Sequence, residues 1–338
     1  SPAPFEPTLE IGIPSDEDGK ICEKYGTWIE KSLYGRKYMG IERATFLIDK
    51  AGTIAKVWHK VVATFGVEKG LYPAAGPKRG EAMRWIAWAG VTDVGKRRAA
   101  NEDSFVARAP VFAVADGMGG HSAGDLASAA VVERLAEIVN GDFTTIVDLD
   151  RALVTATEDI IQIAGDSELG VGTTVTGAAL VLQDDDAYFA VFNIGDSRVY
   201  AFERNELVQV TTDHSVVQEL VEAGALTKEE AEHHPDSNII TRAVGFGATP
   251  AADYWLIPVR AGLRLLLCSD GLTKDVSDER IRLHLAAGLA VTETAAALVD
   301  AALAAGGRDN VTVVLIDVIA APEPREIEDT EPKGRQAR

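Results

Sequence analysis

The chain of 338 residues is long enough for one large core or for two domains, and its 46% hydrophobic and 25% charged residues are typical of a globular protein. No apolar run reaches the roughly 18 residues of a membrane span, and Cys22 and Cys268 are too few and too far apart for a disulfide framework or a cysteine zinc site. The net charge of −19 disfavours nucleic acid and anionic lipid as partners, because both bind basic surfaces.

Charge is distributed unevenly along the chain. The first 80 residues contain 12 Lys+Arg and 10 Asp+Glu, whereas the rest contains 21 basic and 42 acidic side chains. Most of these carboxylates must be solvated, but a few could gather to hold divalent cations. The first residues, SPAPFEPTLE, contain neither the basic nor the apolar region of a secretory signal, so we expect a cytoplasmic protein.

The first segment, residues 1–65, is predicted to contain a short helix at Gly19–Tyr25 and a β-hairpin with strands at Thr45–Asp49 and Thr53–Trp58. Its sequences SDEDGKICEKYGTW and YGRKYMGIERATFLIDKAGTIAKVW resemble the C-terminal half of a bacterioferritin-comigratory-type peroxiredoxin, over about residues 14–60. This resemblance implies a partial thioredoxin-like fold.

Peroxidase activity is not expected from this segment. The peroxidatic cysteine of that family lies in the first half of its fold, and Cys22 does not match it, because it lacks the threonine and proline neighbours of that site. A peroxidase needs a thiolate of lowered pKa in a polar pocket, and no such pattern is visible. The glycines and prolines of GVEKGLYPAAGPKRG predict a linker over residues 66–83.

Blocks of strands and helices are predicted within residues 84–320. The predicted strands are Arg84–Thr92, Val111–Ala115, Thr174–Leu182, Ala187–Asn193, Arg198–Phe202, Leu263–Cys268 and Val311–Ile319. Apolar residues at helical spacing predict helices at Ala123–Asn140, Asp148–Ala164 and Thr292–Ala305. Because strands and helices do not alternate strictly, we expect an α+β fold with sheet against sheet and helices outside. Residues 321–338 are expected to form a disordered tail.

Four aspartates lie at the ends of apolar runs or beside them. They are Asp116 in VFAVADGMGG, Asp196 in AVFNIGDSR, Asp270 in LLLCSDGL and Asp309 in GGRDNVT. Any single one could simply end a strand, because Asp and Gly are common in turns. Four such aspartates favour a shared binding site over four unrelated turns. A carboxylate at the edge of a core costs several kcal/mol unless it is paired or metal-bound. Oxygen ligands of this kind favour Mg²⁺ or Mn²⁺.

A fifth pattern, TDVGKRRAANEDSF, places Arg98 four residues before Glu102, with Asp103 next. An arginine beside a carboxylate–metal centre can bind phosphate, because its planar guanidinium contacts two oxygens at once. The simpler interpretation is a surface salt bridge worth at most about 1 kcal/mol. This pattern alone favours the simpler interpretation.

In this order and spacing, the five patterns resemble the PPM-type metal-dependent protein phosphatases, the protein phosphatase 2C family, and most of all its bacterial branch. The resemblance extends through GTTVTGAAL, TTDHS and ITRAVG and covers essentially all of residues 84–318. It implies an α-β-β-α sandwich of two antiparallel sheets flanked by helices. It also implies hydrolysis of phosphoserine and phosphothreonine in proteins by a hydroxide that bridges two Mg²⁺ or Mn²⁺ ions.

The resemblance implies a role for each residue of the patterns. The implied ligands of two ions are Asp116, Gly117 through its carbonyl, Asp270 and Asp309, and Asp196 is the implied ligand of a third, weaker ion. Glu102 and Asp103 would act through metal-bound waters, and Arg98 would bind the substrate phosphate. Residues 213–242 correspond to a flap that faces substrate. The implied partners are phosphorylated proteins, such as a bacterial Ser/Thr kinase or its targets.

The proton donor and two competing functions stay open at the level of sequence. Met118 stands where eukaryotic members have a histidine that is often regarded as the general acid; His121, His214 and a metal-bound water are alternative donors. Cys268 lies in an apolar strand, where a thiol usually serves packing. A non-catalytic binding module is disfavoured because the main four metal aspartates are all present. A peroxidase-related role is disfavoured by the missing half-fold.

Overall fold

The computed structural model describes residues 85–119, 123–165, 170–183, 186–232, 234–246 and 250–320, and also four strands between residues 28 and 59. The chain divides into two compact units, Ser1–Val62 and Ala63–Arg338. Several sequence predictions lie outside the described residues: the helix at Gly19–Tyr25, the linker over 66–83, the tail over 321–338, and Cys22 and His121. No helix in the described part of the chain is long and apolar enough to cross a membrane.

The first unit contains two antiparallel strand pairs. Strand β1 (Trp28–Leu33) pairs with β2 (Arg36–Ile41), and β3 (Ala44–Ile48) pairs with β4 (Ile54–His59). The second pair confirms the predicted hairpin to within one residue at each strand end. The first pair was not predicted, because WIEKSL and RKYMGI mix charged and apolar residues without a long apolar run.

The second unit contains two antiparallel sheets. The strands of the first sheet are β6 (Asp103–Arg108), β7 (Val111–Met118), β8 (Gly172–Thr173), β9 (Val175–Gln183), β10 (Asp186–Ile194) and β13 (Asp253–Pro258). Their order is β13-β10-β9-β7-β6, with β8 beside β7. The strands of the second sheet are β5 (Ile86–Asp93), β11 (Arg198–Glu203), β12 (Glu206–Gln209), β14 (Arg264–Cys268) and β15 (Val311–Val318), in the order β12-β11-β14-β15-β5.

Helices cover the outer face of each sheet. The helices are α1 (Gly124–Glu137), α2 (Ile146–Ala164), α3 (Val216–Glu222), α4 (Lys228–Glu232), α5 (Asp270–Thr273), α6 (Asp278–Ala286) and α7 (Val291–Ala305). Helices α1 and α2 pack on the first sheet in a cluster that includes Ala113, Ala115 and Phe192. Helices α6 and α7 pack on the second sheet around Leu266, Cys268 and Val313.

The space between the sheets forms the rest of the core. Alternate residues of a strand face opposite sides of a sheet, so Phe112 and Val114 of β7 face away from the helices, and both are fully buried. The ring of Phe112 meets that of Trp88 of the second sheet at a centroid distance of 5.6 Å. Because β7 is buried on both faces, its sequence reads as a continuous apolar run. The fold is thus the predicted α+β sandwich.

The structure corrects several element boundaries. Asp116 does not follow a strand but lies inside β7, which continues through Gly117 to Met118. Asp270 is the first residue of the short helix α5. Strands β6, β8, β12 and β13 and helices α3 to α6 were not predicted. Most of them are short elements of seven residues or fewer, in which periodicity gives a weak signal.

Candidate active site

Two of the predicted acids lie opposite each other on neighbouring strands. Asp103 begins β6 and pairs in register with Asp116 of β7, so both side chains leave the first sheet on the same face. Burial raises the pKa of Asp103 to about 6, and Asp270 and Asp309 add to the rise, against hydrogen bonds from Thr312 and Ser269. Burial, followed by the charges of Asp103 and Asp270, also raises the pKa of Asp116 well above its ordinary range.

The second sheet contacts this acid pair directly. Asp103 Oδ2 accepts hydrogen bonds from Ser269 Oγ at 2.8 Å and from Thr312 Oγ1 at 2.7 Å. Ser269 follows β14, and Thr312 lies near the start of β15. Asp103 Oδ1, in contrast, is buried without any hydrogen-bond partner. Oδ2 of Asp103 therefore connects the two sheets through hydrogen bonds, whereas Oδ1 is available to a further ligand.

Gly117 allows the strand end and the first helix to approach closely. A Cβ atom at this position would lie 2.1 Å from the carbonyl oxygen of Gly124 and 2.6 Å from that of Glu102. The Gly117 amide donates to the Glu102 carbonyl at 3.1 Å. No other residue fits here without moving backbone, which explains why glycine follows Asp116 in this motif.

Asp270 and Asp309 lie beside the acid pair, and both contact Lys274. The Lys274 ammonium forms an ion pair with Asp270 and lies 3.6 Å from Asp309 Oδ2. Burial raises the pKa of Asp270, although Lys274 opposes the rise. Asp270 Oδ1 is buried without a hydrogen-bond partner. The sequence analysis missed Lys274, although its position four residues after Asp270 in a helix could have indicated the pair.

Arg98 binds Asp309 and not Glu102, the acid four residues after it. Its Nε lies 2.8 Å from Asp309 Oδ1, and its Nη2 donates to Oδ2 at 2.9 Å. The Arg98 side chain is 50% exposed, so the guanidinium faces solvent at the edge of the acidic cluster. The hydrogen bond with Asp309 raises the pKa of Arg98 further, against burial.

Asn310 fixes the loop that carries Arg98 and Glu102. Its Nδ2 donates to the carbonyls of Val94 and Ala100, each at 2.9 Å. Its Oδ1 accepts the Glu102 amide at 2.9 Å. Asn310 is part of the GGRDNVT motif, but no role was predicted for it, because its partners lie more than 200 residues away in the sequence.

Asp196 lies in the turn between β10 and β11, where Gly195 adopts a positive φ of 111°. Burial raises the pKa of Asp196 to about 7, with Asp270 and Asp213 adding to the rise and Lys274 opposing it. The adjacent Ser197 Oγ lies 2.8 Å from Thr174 Oγ1, which also accepts the Asp116 amide at 3.1 Å. The Asp196 turn is thus tied to the strand that carries Asp116.

The acidic cluster consists of Asp103, Asp116, Asp196, Asp270 and Asp309. Within the described residues, no three acidic, histidine or cysteine side chains lie close enough together to coordinate one metal ion. Arg98 forms an ion pair with Asp309, and Lys274 forms one with Asp270. The cluster still fits divalent cations, because two buried carboxylate oxygens have no partner and because oxygen ligands suit Mg²⁺ and Mn²⁺.

His214, one of the two histidines predicted as possible proton donors, is buried with 5% of its side chain exposed. Its Nδ1 accepts the Gly195 amide at 3.1 Å, and its Nε2 lies 3.1 Å from Asp253 Oδ2. Both ring nitrogens therefore have partners within the protein. His121, the other candidate, lies outside the residues that the structure describes.

Comparison with known families shows which family the chain belongs to. The model of the protein phosphatase 2C family matches residues 96–305, which is more than half of the chain. The chain belongs to the protein phosphatase 2C family. The acidic cluster of this family member joins residues of both sheets, through the hydrogen bonds of Asp103 with Ser269 and Thr312.

Named relatives extend this assignment. The serine/threonine protein phosphatase PstP of Mycobacterium tuberculosis is 42% identical over 240 residues, which are 69% of this chain and 45% of PstP. The chain thus matches less than half the length of that relative. The serine/threonine phosphatase Stp of Listeria welshimeri is 35% identical over 239 residues, 67% of this chain and 93% of Stp. The crystal structure of the PstP catalytic domain with two manganese ions matches with a TM-score of 0.62 and 40% identity, over 69% of this chain and 98% of that one.

A second family model matches the start of this phosphatase-family chain. The AhpC/TSA family matches residues 6–57, which agrees in part with the resemblance of residues 14–60 to peroxiredoxins. The match is confined to the first unit and contains strands β1 to β3.

Proposed function

We propose that this protein is a protein-serine/threonine phosphatase that hydrolyses phosphoserine and phosphothreonine with two Mn²⁺ or Mg²⁺ ions. The observation that carries this proposal is the acidic cluster, in which burial and mutual repulsion raise the pKa of Asp103, Asp116 and Asp196. So many buried acids are costly unless cations neutralise them. The relatives with this fold are named serine/threonine phosphatases, and PstP was solved with two manganese ions.

The proposed ligand roles follow the sequence resemblance. Residues that would hold the two ions are Asp116, Gly117 through its carbonyl, Asp270 and Asp309, and Asp196 would hold a third. Glu102 and Asp103 would act through waters. When bound, the ions would act as Lewis acids toward the phosphoryl oxygens and lower the pKa of water toward neutrality. Lys274 would oppose an ion at Asp270, because its ammonium already pairs with Oδ2 of this carboxylate and repels a second cation.

Arg98 is the proposed substrate-binding residue. Its guanidinium binds the Asp309 carboxylate through two contacts, 2.8 and 2.9 Å long. A phosphoryl group offers a similar pair of acceptor oxygens. Half of the side chain is exposed, so a phosphorylated side chain can reach it from solvent. In this position Arg98 orients the phosphoryl group and balances its negative charge during hydrolysis.

The proposed substrates are phosphorylated proteins of the cytoplasm, among them a Ser/Thr kinase or its targets. The strongly acidic composition of residues 81–338 supports protein substrates over nucleic acid. A non-catalytic binding module is less well supported, because all of the proposed ligands are present and grouped.

Phosphate release from a phosphothreonine peptide tests this function. We expect turnover with Mn²⁺, loss of turnover with excess EDTA, and recovery when Mn²⁺ is restored. Asp270→Asn should lower kcat by at least about 100-fold, because outer-shell changes alone cost 10- to 100-fold at metal sites. Asp300→Asn, an exposed substitution on α7, is the matched control and should leave kcat unchanged. Turnover that survives EDTA, or an Asp270→Asn protein as active as the control, would exclude the proposal.

The proposed catalytic domain is residues 84–320, preceded by a linker over residues 66–83. The described residues of the acidic cluster and of the Arg98 loop lie within residues 93–312. A chain shortened to begin at residue 79 should therefore retain Mn²⁺-dependent hydrolysis of the same peptide. Loss of hydrolysis in a shortened chain that still unfolds cooperatively would show that the first segment takes part in catalysis.

A further inference from the structure

Phe246 is a large apolar side chain of which 50% is exposed to solvent. A single exposed apolar residue is common on protein surfaces and needs no special explanation. The ring of Phe246, however, packs against two glycines. A Cβ atom at Gly170 would lie 2.7 Å from its Cε1, and a Cβ atom at Gly172 would lie 3.0 Å from its Cε2. A larger residue at Gly170 would therefore force the ring to move.

Backbone hydrogen bonds hold the segment that carries Phe246. Val244 and Thr173 form an antiparallel bridge in which each amide donates to the carbonyl of the other, at 2.9 and 3.0 Å. Thr173 Oγ1 also donates to the Asp116 carbonyl at 2.9 Å. The segment is thus connected through Thr173 to the strand that carries Asp116.

The ring of Phe246 lies on the same face of the first sheet as the Asp116 carboxylate. Met118 is two residues after Asp116 in β7, so both side chains point to one face. Met118 pairs in register with Gly172 of β8, so a side chain at Gly172 would point to this face too. The Phe246 ring lies against the position of that side chain. It therefore borders the acidic cluster on this face.

The spacing of the strands indicates how far the ring lies from the acidic cluster. Gly172 is two residues along the strand from Asp116 and one strand across. With about 3.4 Å per residue and about 4.8 Å between strands, the Cα atoms of Asp116 and Gly172 lie about 8 Å apart. An extended peptide advances about 3.5 Å per residue. A side chain one or two positions from a phosphorylated residue at the cluster can therefore reach the ring.

We propose that Phe246 is a specificity residue that binds an apolar side chain next to the phosphorylated residue of a peptide substrate. This inference rests on the proposed phosphatase function. The exposed half of the ring favours an aliphatic or aromatic side chain over a polar one, because contact removes the apolar surface of both from water. The negative charge of the nearby acidic cluster disfavours an acidic side chain at the same position.

Steady-state kinetics of the Mn²⁺-loaded full chain on paired phosphothreonine peptides tests this inference. The two peptides of a pair differ in one residue, leucine or serine, at a position between two residues before the phosphothreonine and two residues after it. For at least one position we expect kcat/KM to be roughly 10-fold higher with leucine, because the contact buries part of both apolar side chains. Most of this difference should appear in KM.

Substitution of Phe246 should change the ratio of kcat/KM between the leucine and serine peptides. Phe246→Ala should lower this ratio roughly 5- to 10-fold, because alanine offers little apolar surface. Phe246→Leu should keep most of the ratio, because leucine is also large and apolar. Leu283→Ala on α6 removes an apolar side chain of similar exposure, 54%. It is the matched control and should leave the ratio unchanged.

Four results would overturn the inference. Equal hydrolysis of the leucine and serine peptides at every position, or an unchanged ratio in Phe246→Ala, would show that the ring does not read the substrate. An equal fall of Phe246→Ala activity on p-nitrophenyl phosphate, which has no flanking residues, would show that the ring supports the acidic cluster instead. A dimer that dissociates in Phe246→Ala, measured by analytical ultracentrifugation, would assign the ring to a contact between copies of the chain.

The same kinetics keeps this inference apart from the proposed function. A protein that hydrolyses neither the peptides nor p-nitrophenyl phosphate with Mn²⁺ contradicts the proposed function, and the role of Phe246 with it. A protein that hydrolyses all of them without preferring leucine contradicts the role of Phe246 alone.

Discussion

Asp103 and Asp116 lie directly opposite each other on the neighbouring antiparallel strands β6 and β7. Like charges at such positions destabilise a sheet, and burial makes ionisation of both carboxyls still less favourable. Only one of the two Asp103 oxygens is satisfied, by Ser269 and Thr312 of the other sheet. The pair therefore reduces the stability of the bare protein at neutral pH, and cations would offset this cost.

The stability of the EDTA-treated protein should fall as pH rises from about 4 to about 7 and then level off. The folded-state pKa is about 6 for Asp103 and about 7 for Asp196, above the usual value of 3.8 for both. A raised folded pKa adds stability at low pH that disappears as pH passes through that pKa. Each unit of difference between the folded and unfolded pKa corresponds to about 1.4 kcal/mol. The free energy of unfolding should therefore fall by a few kcal/mol. Urea denaturation at each pH measures it.

Saturating Mn²⁺ should remove this decline, because bound cations stabilise the ionised carboxylates. Asp196→Asn should make the decline in EDTA smaller, because an amide does not titrate while Asp103 still does, whereas the exposed control Asp300→Asn should leave the decline unchanged. A free energy of unfolding in EDTA that rises between about pH 4 and about pH 7 would contradict the assigned burial of these acids.

Lys274→Met should tighten Mn²⁺ binding. The Lys274 ammonium forms an ion pair with Asp270 and lies 3.6 Å from Asp309, so it competes with cations for both carboxylates. A partly exposed ion pair is worth up to about 1 kcal/mol, which corresponds to roughly 5-fold tighter binding. Calorimetric titration measures the change. Lys228→Met on α4, an exposed residue, is the control, and weaker Mn²⁺ binding by Lys274→Met would show that the lysine assists the ions.

Arg98→Lys should raise KM for the phosphopeptide much more than it changes Mn²⁺ affinity. Lysine keeps the charge but loses the planar pair of donors. A hydrogen bond to a charged group contributes about 1.5–3 kcal/mol, so kcat/KM should fall roughly 10- to 150-fold. Steady-state kinetics and Mn²⁺ titration together separate the two effects. The neighbouring Arg97→Lys, at an exposed position, should behave as the natural sequence does. A fall in Mn²⁺ affinity as large as the fall in kcat/KM would place Arg98 in ion binding.

Thiol alkylation should leave phosphatase activity intact. Cys268 is fully buried in the core beneath α7, and burial raises the pKa of its thiol to about 12. A protonated, inaccessible thiol is a poor nucleophile. Mass spectrometry after iodoacetamide treatment should find Cys268 unmodified and phosphate release unchanged. Modification of Cys268 in the native protein with parallel loss of activity would contradict this packing.

Much of the fold could be predicted from sequence because the sheets are buried on both faces. The apolar runs at Val111–Ala115 and Arg264–Cys268 stand out for that reason, and long amphipathic helices such as α2 give clear periodicity. The short helices α3 and α4 could not be predicted, because tertiary contacts such as the Ser215–Ile240 bridge contribute to their formation and local periodicity does not reveal such contacts.

The acidic residues of the candidate site could be predicted from sequence, but the residues that bind them could not. Asp116, Asp270 and Asp309 each belong to a compact motif, whereas Arg98 meets Asp309 across 211 positions of sequence and Asp103 meets Thr312 across 209. Such pairings exist only once both sheets are assembled. For the same reason sequence reasoning treated His214 as a possible proton donor: it could not place Gly195 and Asp253 on either side of the ring.

Calorimetric titration of Mn²⁺ into the metal-stripped natural sequence and into Asp116→Asn tests most directly whether the buried aspartates hold catalytic cations. We predict tight binding of two ions to the natural sequence and at least about 100-fold weaker binding to Asp116→Asn, with a parallel loss of phosphopeptide hydrolysis. Asp300→Asn should match the natural sequence in both measurements. An Asp116→Asn protein that binds Mn²⁺ and hydrolyses the peptide as the natural sequence does would contradict the central role of the acidic cluster.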